Sequence, residues 1–191
     1  MVINMKVRIG ISARHVHLNK EDYEKLFGDK ELTKYMDLNQ PGMFAANEKV
    51  NLITENGRID NVRIVGPLRN YTQVEISKTD SYKLKLNPPV RSSGDLEGSE
   101  DIWIENGDKK IIAKSSCIIA DRHLHIKTSD LVKYNLKDKQ HLKLKINSIK
   151  GGMLDNVVVK ATEDAYFEVH LDLDDANANM IGDGEIGELF Y

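Results

Sequence analysis

A short metal-ligand pattern occurs twice in this chain. Arg14-His15-Val16-His17-Leu18 recurs as Arg122-His123-Leu124-His125-Ile126, so four of the six histidines lie in two copies of one motif. In a β-strand, residues i and i+2 point to the same face. If residues 7–18, which are rich in apolar side chains, form a strand, both imidazoles of the first copy can reach one metal ion.

The repeat extends beyond the histidines. Ile59-Asp60-Asn61-Val62 matches Leu154-Asp155-Asn156-Val157, and another potential ligand lies 14 residues after each asparagine, Glu75 in the first copy and His170 in the second. Three protein ligands with an open position are typical of catalytic rather than structural zinc sites. The repeat therefore predicts two metal sites, His15/His17/Glu75 and His123/His125/His170.

The elements around these motifs are predicted to be mostly short strands joined by tight turns. Asn56-Gly57, Asn106-Gly107 and Gly151-Gly152 indicate hairpins, because asparagine and glycine tolerate the positive φ of such turns. Helical signals are few. They predict a helix over residues 20–27 between Asn19 and Gly28, a second over residues 130–134 capped by Thr128 or Ser129, and a third over residues 174–178.

The duplication predicts a mainly β fold with short α-helices, in which two similar β-barrel domains with helical caps arose by internal duplication. We expect the first half, with the His-x-His and glutamate site and Arg69, to span residues 1–105. The second half, with the all-histidine site, would span residues 106–191.

Composition excludes several classes of function. The net charge of −3 and the scattered lysines and arginines do not suggest a nucleic-acid surface. A single cysteine, Cys117, fits a reducing compartment. No apolar run approaches 18 residues, so we expect no membrane association. The expected location is the cytoplasm, or a bacterial microcompartment within it.

Two features distinguish the first half from the second. Arg69 lies six residues before Glu75, whereas Asp164 holds the corresponding position before His170. A cation near only one metal suggests an anionic substrate. Residues 87–99 form a long loop rich in Gly, Ser and Pro, which either connects elements or shapes a binding cleft.

A set of ordered motifs resembles the phosphate propanoyltransferase family, the PduL-type phosphotransacylases, from Val7 to about Asn179. The motifs are Gly10-Ile11-Ser12-Ala13-Arg14-His15-Val16-His17-Leu18, Gln40-Pro41-Gly42-Met43-Phe44-Ala45-Ala46, Gly66-Pro67-Leu68-Arg69, Thr72-Gln73-Val74-Glu75-Ile76-Ser77, Pro89-Val90-Arg91 with Ser93-Gly94-Asp95, and Ile118-Ile119-Ala120 with Arg122-His123-Leu124-His125.

The resemblance implies reversible acyl transfer between coenzyme A and inorganic phosphate in a dizinc active site between two β-barrel domains. It implies two Zn2+ per chain, one on each triad, and a phosphate-binding role for Arg69. The substrates would be acyl-CoA or CoA with phosphate or acyl phosphate, the acyl group being propanoyl or acetyl. Coenzyme A contacts would fall on Ile11, Ser12, Ala13, Arg63 and Asn177. Propanediol degradation, microcompartment association and a homo-oligomer are further expectations of the resemblance.

At some positions this chain departs from the family pattern, which limits how far the family's properties can be expected of it. Asn56-Gly57 stands where the family often has Lys-Gly, so one contact to the cofactor's phosphates would be missing. Only about ten residues precede Ile11, whereas family members sent into microcompartments often carry an amphipathic N-terminal extension. Residues 182–191 are acidic and lie outside the resemblance.

A direct mechanism follows from the proposed ligands. Zinc is a Lewis acid that also binds sulfur, and an arginine can hold phosphate through a bidentate fork. We therefore expect phosphate to attack the thioester directly, without an acyl-enzyme, because Cys117 lies in an apolar stretch. Two alternatives stay open at this point. His15, His17 and Glu75 also match the ligand set of a non-haem Fe(II) oxygenase, and both ions could instead be structural in a non-catalytic, metal-stabilised binding module.

Overall fold

The computed structural model describes residues 4–191, which form 14 strands, three α-helices and one turn of 3-10 helix. The strands are β1 (Asn4–Ser12), β2 (His15–His17), β3 (Lys34–Asp37), β4 (Phe44–Ile53), β5 (Arg58–Gly66), β6 (Gln73–Glu75), β7 (Val90–Arg91), β8 (Glu100–Asn106), β9 (Lys109–Ala120), β10 (His123–Lys127), β11 (His141–Lys145), β12 (Met153–Thr162), β13 (Glu168–Asp172) and β14 (Ile186–Phe190). The α-helices are α1 (Lys20–Phe27), α2 (Lys78–Leu84) and α3 (Leu173–Ala178), and the 3-10 turn is Thr128–Asp130.

The described chain divides into two compact units, each a closed six-stranded barrel. Residues 14–120 form one unit, here called the continuous barrel, and residues 4–13 with 121–191 form the other, the split barrel. This division differs from the boundary predicted between residues 105 and 106. That boundary falls inside the hairpin of β8 and β9, where Glu105 pairs with Lys110.

The two barrels have the same strand order and the same pattern of parallel and antiparallel pairs. The split barrel closes in the order β1-β13-β10-β12-β11-β14. The continuous barrel closes in the order β9-β6-β2-β5-β4-β8, and β3 and β7 are added outside this ring. The prediction of a mainly β fold with two similar barrels related by duplication is therefore confirmed.

The strand before each His-x-His motif belongs to the barrel that does not contain that motif. β1 lies in the split barrel although it runs directly toward His15, and β9 lies in the continuous barrel although it runs toward His123. The single strand expected over residues 7–18 is accordingly wrong. It is broken after Ser12 and resumes at His15, because the two parts pair with different sheets.

The repeated Asp-Asn-Val segment forms the same bulge in both barrels. Asn61 and Asn156 have φ values of 59° and 61°, a left-handed conformation that asparagine tolerates better than most residues. Next to each asparagine the register shifts by one residue, between β4 and β5 in one barrel and between β11 and β12 in the other. A β-bulge bends and twists the strand, so the motif shapes the strand that pairs with each His-x-His.

Several local predictions are confirmed. Asn19 caps α1 through a 2.8 Å hydrogen bond from the backbone N–H of Asp22, and Gly28 ends the helix. All three predicted hairpins form, with Ile53 paired to Arg58, Asn106 to Lys109 and Lys145 to Met153. The third helix begins at Leu173, after the N-cap Asp172.

The predicted helix over residues 130–134 is wrong. Only a 3-10 turn forms, and its N-cap position is held by Lys127, whose side chain makes no capping hydrogen bond. Asn135 then takes a left-handed φ of 51°, which ends the turn. In contrast, α2 was not predicted, although Ser77 and Asp80 form a capping box at its start.

Each barrel encloses its own apolar core, which holds the site strands in register. Val16, Val74 and Cys117 are fully buried in the continuous barrel, and Leu124 and Val169 in the split barrel. β14, from the acidic C-terminal segment outside the predicted resemblance, closes the split barrel by pairing with β1 and β11. Among residues 4–191, no helix is long and apolar enough to cross a membrane.

Candidate metal centres and the site around Arg69

Strand register brings the three side chains of each predicted metal site together. His15 lies directly opposite Glu75 in the antiparallel pair of β2 and β6, and His123 lies opposite His170 in the pair of β10 and β13. Directly opposed residues have Cβ atoms about 5 Å apart, and the second histidine of each motif shares the face of the first. In each triad the potential ligand atoms all lie within 4.8 Å of one another.

The geometry of the continuous barrel's triad fits a small cation. The Nε2 atoms of His15 and His17 are 3.1 Å apart, and His15 Nε2 is 3.6 Å from an oxygen of Glu75. Two ligands at 2.0–2.1 Å from a tetrahedral zinc are about 3.3 Å apart. The observed separations are close to that edge length.

A backbone contact fixes the tautomer of His17. Its Nδ1 is 2.9 Å from the carbonyl oxygen of Val65, and a carbonyl can only accept, so Nδ1 carries the proton. Burial is the main cause that holds the pKa of His17 well below its usual value, assisted by the neighbouring His15 and by the positive charge of Arg69. The ring is therefore neutral, with its lone pair on the Nε2 that faces His15, as a metal ligand requires.

The split barrel repeats this arrangement. His123 Nδ1 donates to the carbonyl oxygen of Asp121 at 2.9 Å, and its Nε2 is 3.1 Å from the Nε2 of His125. Both rings are buried, and the His170 ring lies against them, with centroid distances of 5.3 and 4.6 Å. The donor set of three imidazoles suits zinc and related transition metals.

A buried carboxylate accompanies His170. Glu168 is 2% exposed, receives a 2.8 Å hydrogen bond from Arg8 and lies 3.1 Å from His170 Nε2. Burial alone would raise the pKa of Glu168, but hydrogen bonds from His170 and Tyr166 and the charge of Arg8 leave it lowered. Gly10 leaves space for the Glu168 carboxylate. A side chain at this position would place its Cβ against Glu168 and 2.9 Å from His170 Nε2.

Arg69 is linked to the candidate metal centre of the continuous barrel through Ser93, because Ser93 accepts hydrogen bonds from both Arg69 and Gln73, and Gln73 donates to Glu75. The backbone N–H of Arg69 donates to the carbonyl oxygen of Leu18, the residue after the motif, at 2.9 Å. Its guanidinium donates to the hydroxyls of Tyr71 at 3.2 Å and Ser93 at 3.3 Å. Ser93 comes from the 87–99 loop, so this loop contributes directly to the surroundings of Arg69.

An arginine in front of each motif anchors a helix that follows the third ligand. Arg14 Nε lies 2.9 Å from both carboxylate oxygens of Asp80, at the third position of α2. Arg122 makes two 2.7 Å contacts to Asp175, at the third position of α3. Sequence reasoning missed both pairs. The signal available was the equal spacing from each third ligand to the aspartate, from 75 to 80 and from 170 to 175.

The predicted coenzyme A contacts are distributed over both units. Ile11 and Ser12 follow Gly10, which pairs with His170, and Asn177 is an exposed residue of α3 in the same unit. In the continuous barrel, Arg63 pairs in register with His15 and its guanidinium stacks 4.6 Å from the Tyr35 ring. With Ala13, these residues stay predictions as cofactor contacts.

The fold and the paired His-x-His motifs define a protein of two β-barrels, each with a group of three side chains that could hold a metal ion. A family model described as phosphate propanoyltransferase matches residues 8–182. A phosphate propanoyltransferase of Thermotoga maritima is 44% identical over 180 residues, which is 93% of this chain and 86% of that protein. Those of Priestia megaterium (43% over 184 residues, 96% and 85%) and Alkaliphilus metalliredigens (39% over 188 residues, 98% and 89%) are also similar.

The chain therefore belongs to the phosphate propanoyltransferase family, and it is an acyltransferase. The matched region ends at residue 182, so β14, which completes the split barrel, lies beyond it.

Proposed function

We propose that the enzyme transfers an acyl group reversibly between coenzyme A and inorganic phosphate, and that each triad holds one Zn2+. Propanoyl-CoA is the proposed substrate, because the related proteins are named for the propanoyl group, and acetyl-CoA is the alternative. The observation that carries the proposal is the hydrogen-bonded connection of Arg69 to the triad residue Glu75 through Ser93 and Gln73.

Acyl transfer from coenzyme A to phosphate needs neither an oxidant nor a reductant. A phosphate oxygen attacks the thioester carbonyl carbon, a C–O bond forms, the C–S bond breaks, and coenzyme A leaves as its thiolate. Bound zinc would supply a Lewis acid that also accepts sulfur. The three residues in each triad would hold the ion.

Arg69 would bind and orient phosphate. Its guanidinium offers parallel N–H donors that match two phosphate oxygens, which a lysine cannot reproduce. Tyr71 and Ser93 accept hydrogen bonds from it and keep the planar group in one orientation. A fixed orientation lowers the entropic cost of placing phosphate for attack.

The cysteine in this chain is unsuited to carry the acyl group. Cys117 is fully buried in β9, and burial raises the pKa of its thiol to about 12. The thiolate, not the thiol, is the reactive form. This supports direct attack by phosphate, and membership in an acyltransferase family disfavours the oxygenase and the binding-module alternatives.

The test is release of free thiol from propanoyl-CoA by zinc-loaded enzyme, with and without phosphate, together with trapping of the acyl phosphate by hydroxylamine. We expect thiol release to require phosphate and to equal acyl phosphate formation. Thiol release without phosphate would identify a thioesterase and contradict the proposal. Parallel assays with acetyl-CoA decide the acyl group.

The proposal extends to the setting of the reaction. A propanoyl substrate fits propanediol degradation, in the cytoplasm or in a bacterial microcompartment, and a homo-oligomer is part of the same expectation. Fractionation of cells grown on propanediol, and the mass of the purified protein by light scattering, test these predictions.

A further inference from the structure

Gln73 is a fully buried polar side chain next to the metal centre of the continuous barrel. It lies in β6, two residues before Glu75 and on the same face, and it has 0% exposure. Its side-chain oxygen accepts a 2.8 Å hydrogen bond from the backbone N–H of Gly94. Because that N–H can only donate, the orientation of the amide is fixed, and the NH2 group points the other way.

The two N–H groups of Gln73 reach two different parts of the site. One donates to Glu75 Oε1 at 2.5 Å, and the other donates to Ser93 Oγ at 2.8 Å. Ser93 also accepts from Arg69 at 3.3 Å. Gln73 thus connects the metal ligand Glu75 to the arginine proposed to bind phosphate, through one serine.

The contact to Glu75 determines how this carboxylate can act. Oε1 is engaged by Gln73, and the other oxygen, Oε2, faces His15 Nε2 at 3.6 Å. A carboxylate held in this way offers one oxygen rather than two to an ion. One-oxygen ligation leaves a coordination position for a substrate group, as in catalytic zinc sites.

The split barrel has a buried polar residue at the equivalent position. Glu168 lies two residues before His170, is 2% exposed and contacts that ring at 3.1 Å. In the continuous barrel the amide of Gln73 lies beside the carboxylate of Glu75. In the split barrel the carboxylate of Glu168 lies beside the imidazole of His170. This match in both repeats favours a role in supporting the third ligand rather than one in packing alone.

We propose that Gln73 is a positioning residue that holds Glu75 as a one-oxygen metal ligand and, through Ser93, orients Arg69 for phosphate. The second half of this proposal rests on the function proposed above. Hydrogen-bonded partners of metal ligands typically change metal affinity about 10- to 100-fold when they are removed.

The variants Gln73→Glu and Gln73→Met test the proposal. Ser93→Ala separates the effect on Arg69 from the effect on Glu75. Gln73→Glu keeps the shape but removes both N–H donors and places a second carboxylate beside Glu75, and Gln73→Met removes the donors without adding charge. Gln140→Glu, in the turn before β11, is the matched control for the same chemical change. Zinc affinity is measured by competition with a chromophoric chelator, and the Michaelis constant for phosphate and the turnover number are measured separately.

Gln73→Met should weaken zinc binding at one of two sites by about tenfold or more, and both Gln73 variants should raise the Michaelis constant for phosphate at saturating zinc. Gln73→Glu should raise that constant more than Gln73→Met, because its added negative charge also repels phosphate. Ser93→Ala should raise that constant with zinc affinity unchanged, and Gln140→Glu should change neither. If Gln73→Met folds and both quantities equal those of the wild type, Gln73 only packs and the proposal is overturned. If the wild type shows no phosphate-dependent turnover, the proposed function fails, but the zinc titration still tests the contact to Glu75.

Discussion

Arg122 and Asp175 form a two-point ion pair in which both nitrogen–oxygen distances are 2.7 Å. Arg14 and Asp80 form the equivalent pair in the other barrel. Each arginine directly precedes a His-x-His motif, and each aspartate lies in the helix after the third ligand. The pair therefore connects the two strands that carry one triad, at a point outside the triad itself.

Loss of the arginine should destabilise each barrel. Arg14→Met leaves the carboxylate of Asp80, only 4% exposed, without its ion pair, and an unpaired buried group of this kind costs about 1–3 kcal/mol. Arg122→Met should cost less, because Asp175 is 20% exposed. Urea unfolding of the metal-free protein measures both. Lys34→Met, which breaks an ion pair with Asp37, a side chain that is 75% exposed, is the control and should change stability by less than about 1 kcal/mol. Equal effects of all three would show that the pairs add nothing particular to the barrels.

Arg69→Lys should impair the use of phosphate without loss of zinc. The substitution keeps the positive charge but removes the planar pair of donors, and a charge-assisted hydrogen bond contributes about 1.5–3 kcal/mol, or roughly a tenfold or greater fall in kcat/KM for phosphate. Steady-state kinetics in both directions, with zinc analysis of the same samples, provide the measurement. Arg58→Lys serves as the matched control on an exposed arginine of the same barrel. An unchanged Michaelis constant and turnover would show that Arg69 does not contact phosphate.

Removal of the third ligand at either centre should disable the same reaction. Glu75→Ala and His170→Ala should each lower the zinc content from two ions toward one per chain, and each should abolish most turnover, because both ions are proposed to serve one acyl transfer. Elemental analysis, thermal melting and propanoyl-CoA turnover are measured side by side. A structural ion would lower the melting temperature but leave near-normal activity below it. A variant that lacks one zinc but keeps most of its turnover would contradict a shared role for the two centres.

Cys117 should be dispensable for catalysis and should contribute to the pH dependence of stability. Its pKa is raised in the folded state, from 9.0 to about 12. The stability that it contributes is therefore fully present below pH 9 and is lost as the pH rises from 9 to 12. Between pH 8 and 10 the free energy of unfolding should fall by about 1.4 kcal/mol from this group.

Urea unfolding at the two pH values should show that fall in the wild type and a smaller one in Cys117→Ala. The variant should keep its phosphate-dependent turnover, and the native thiol should resist alkylation at pH 8 until the protein is unfolded. Loss of turnover in a folded Cys117→Ala protein would instead indicate a covalent acyl-enzyme.

Features set by neighbouring residues could be predicted from the sequence alone. The two-residue spacing of His15 and His17 places both rings on one strand face whatever the rest of the fold does. Asn19 and Gly28 determine where α1 begins and ends, because capping hydrogen bonds and positive φ values are local. The repeat of Asp-Asn-Val is visible in the sequence as part of the duplication, and the structure shows the same bulge at Asn61 and Asn156.

Features that depend on distant residues were decided by the tertiary structure. Nothing local separates β1 from β2, yet β1 pairs with β13 and β2 with β6, so that the chain passes from one barrel into the other between Ser12 and His15. Likewise, the sequence of β14 resembles an acidic tail, whereas in the structure this strand closes the split barrel by pairing with β1 and β11. Closure of the split barrel forms backbone hydrogen bonds between strands more than 100 residues apart in the chain. The free energy of these hydrogen bonds depends on distant residues, so the pattern of neighbouring side chains does not predict it. The contacts of Gln73 with Glu75 and Ser93 show the same division, since the alternation of β6 places Gln73 and Glu75 on one face, whereas only the folded loop brings Ser93 to them.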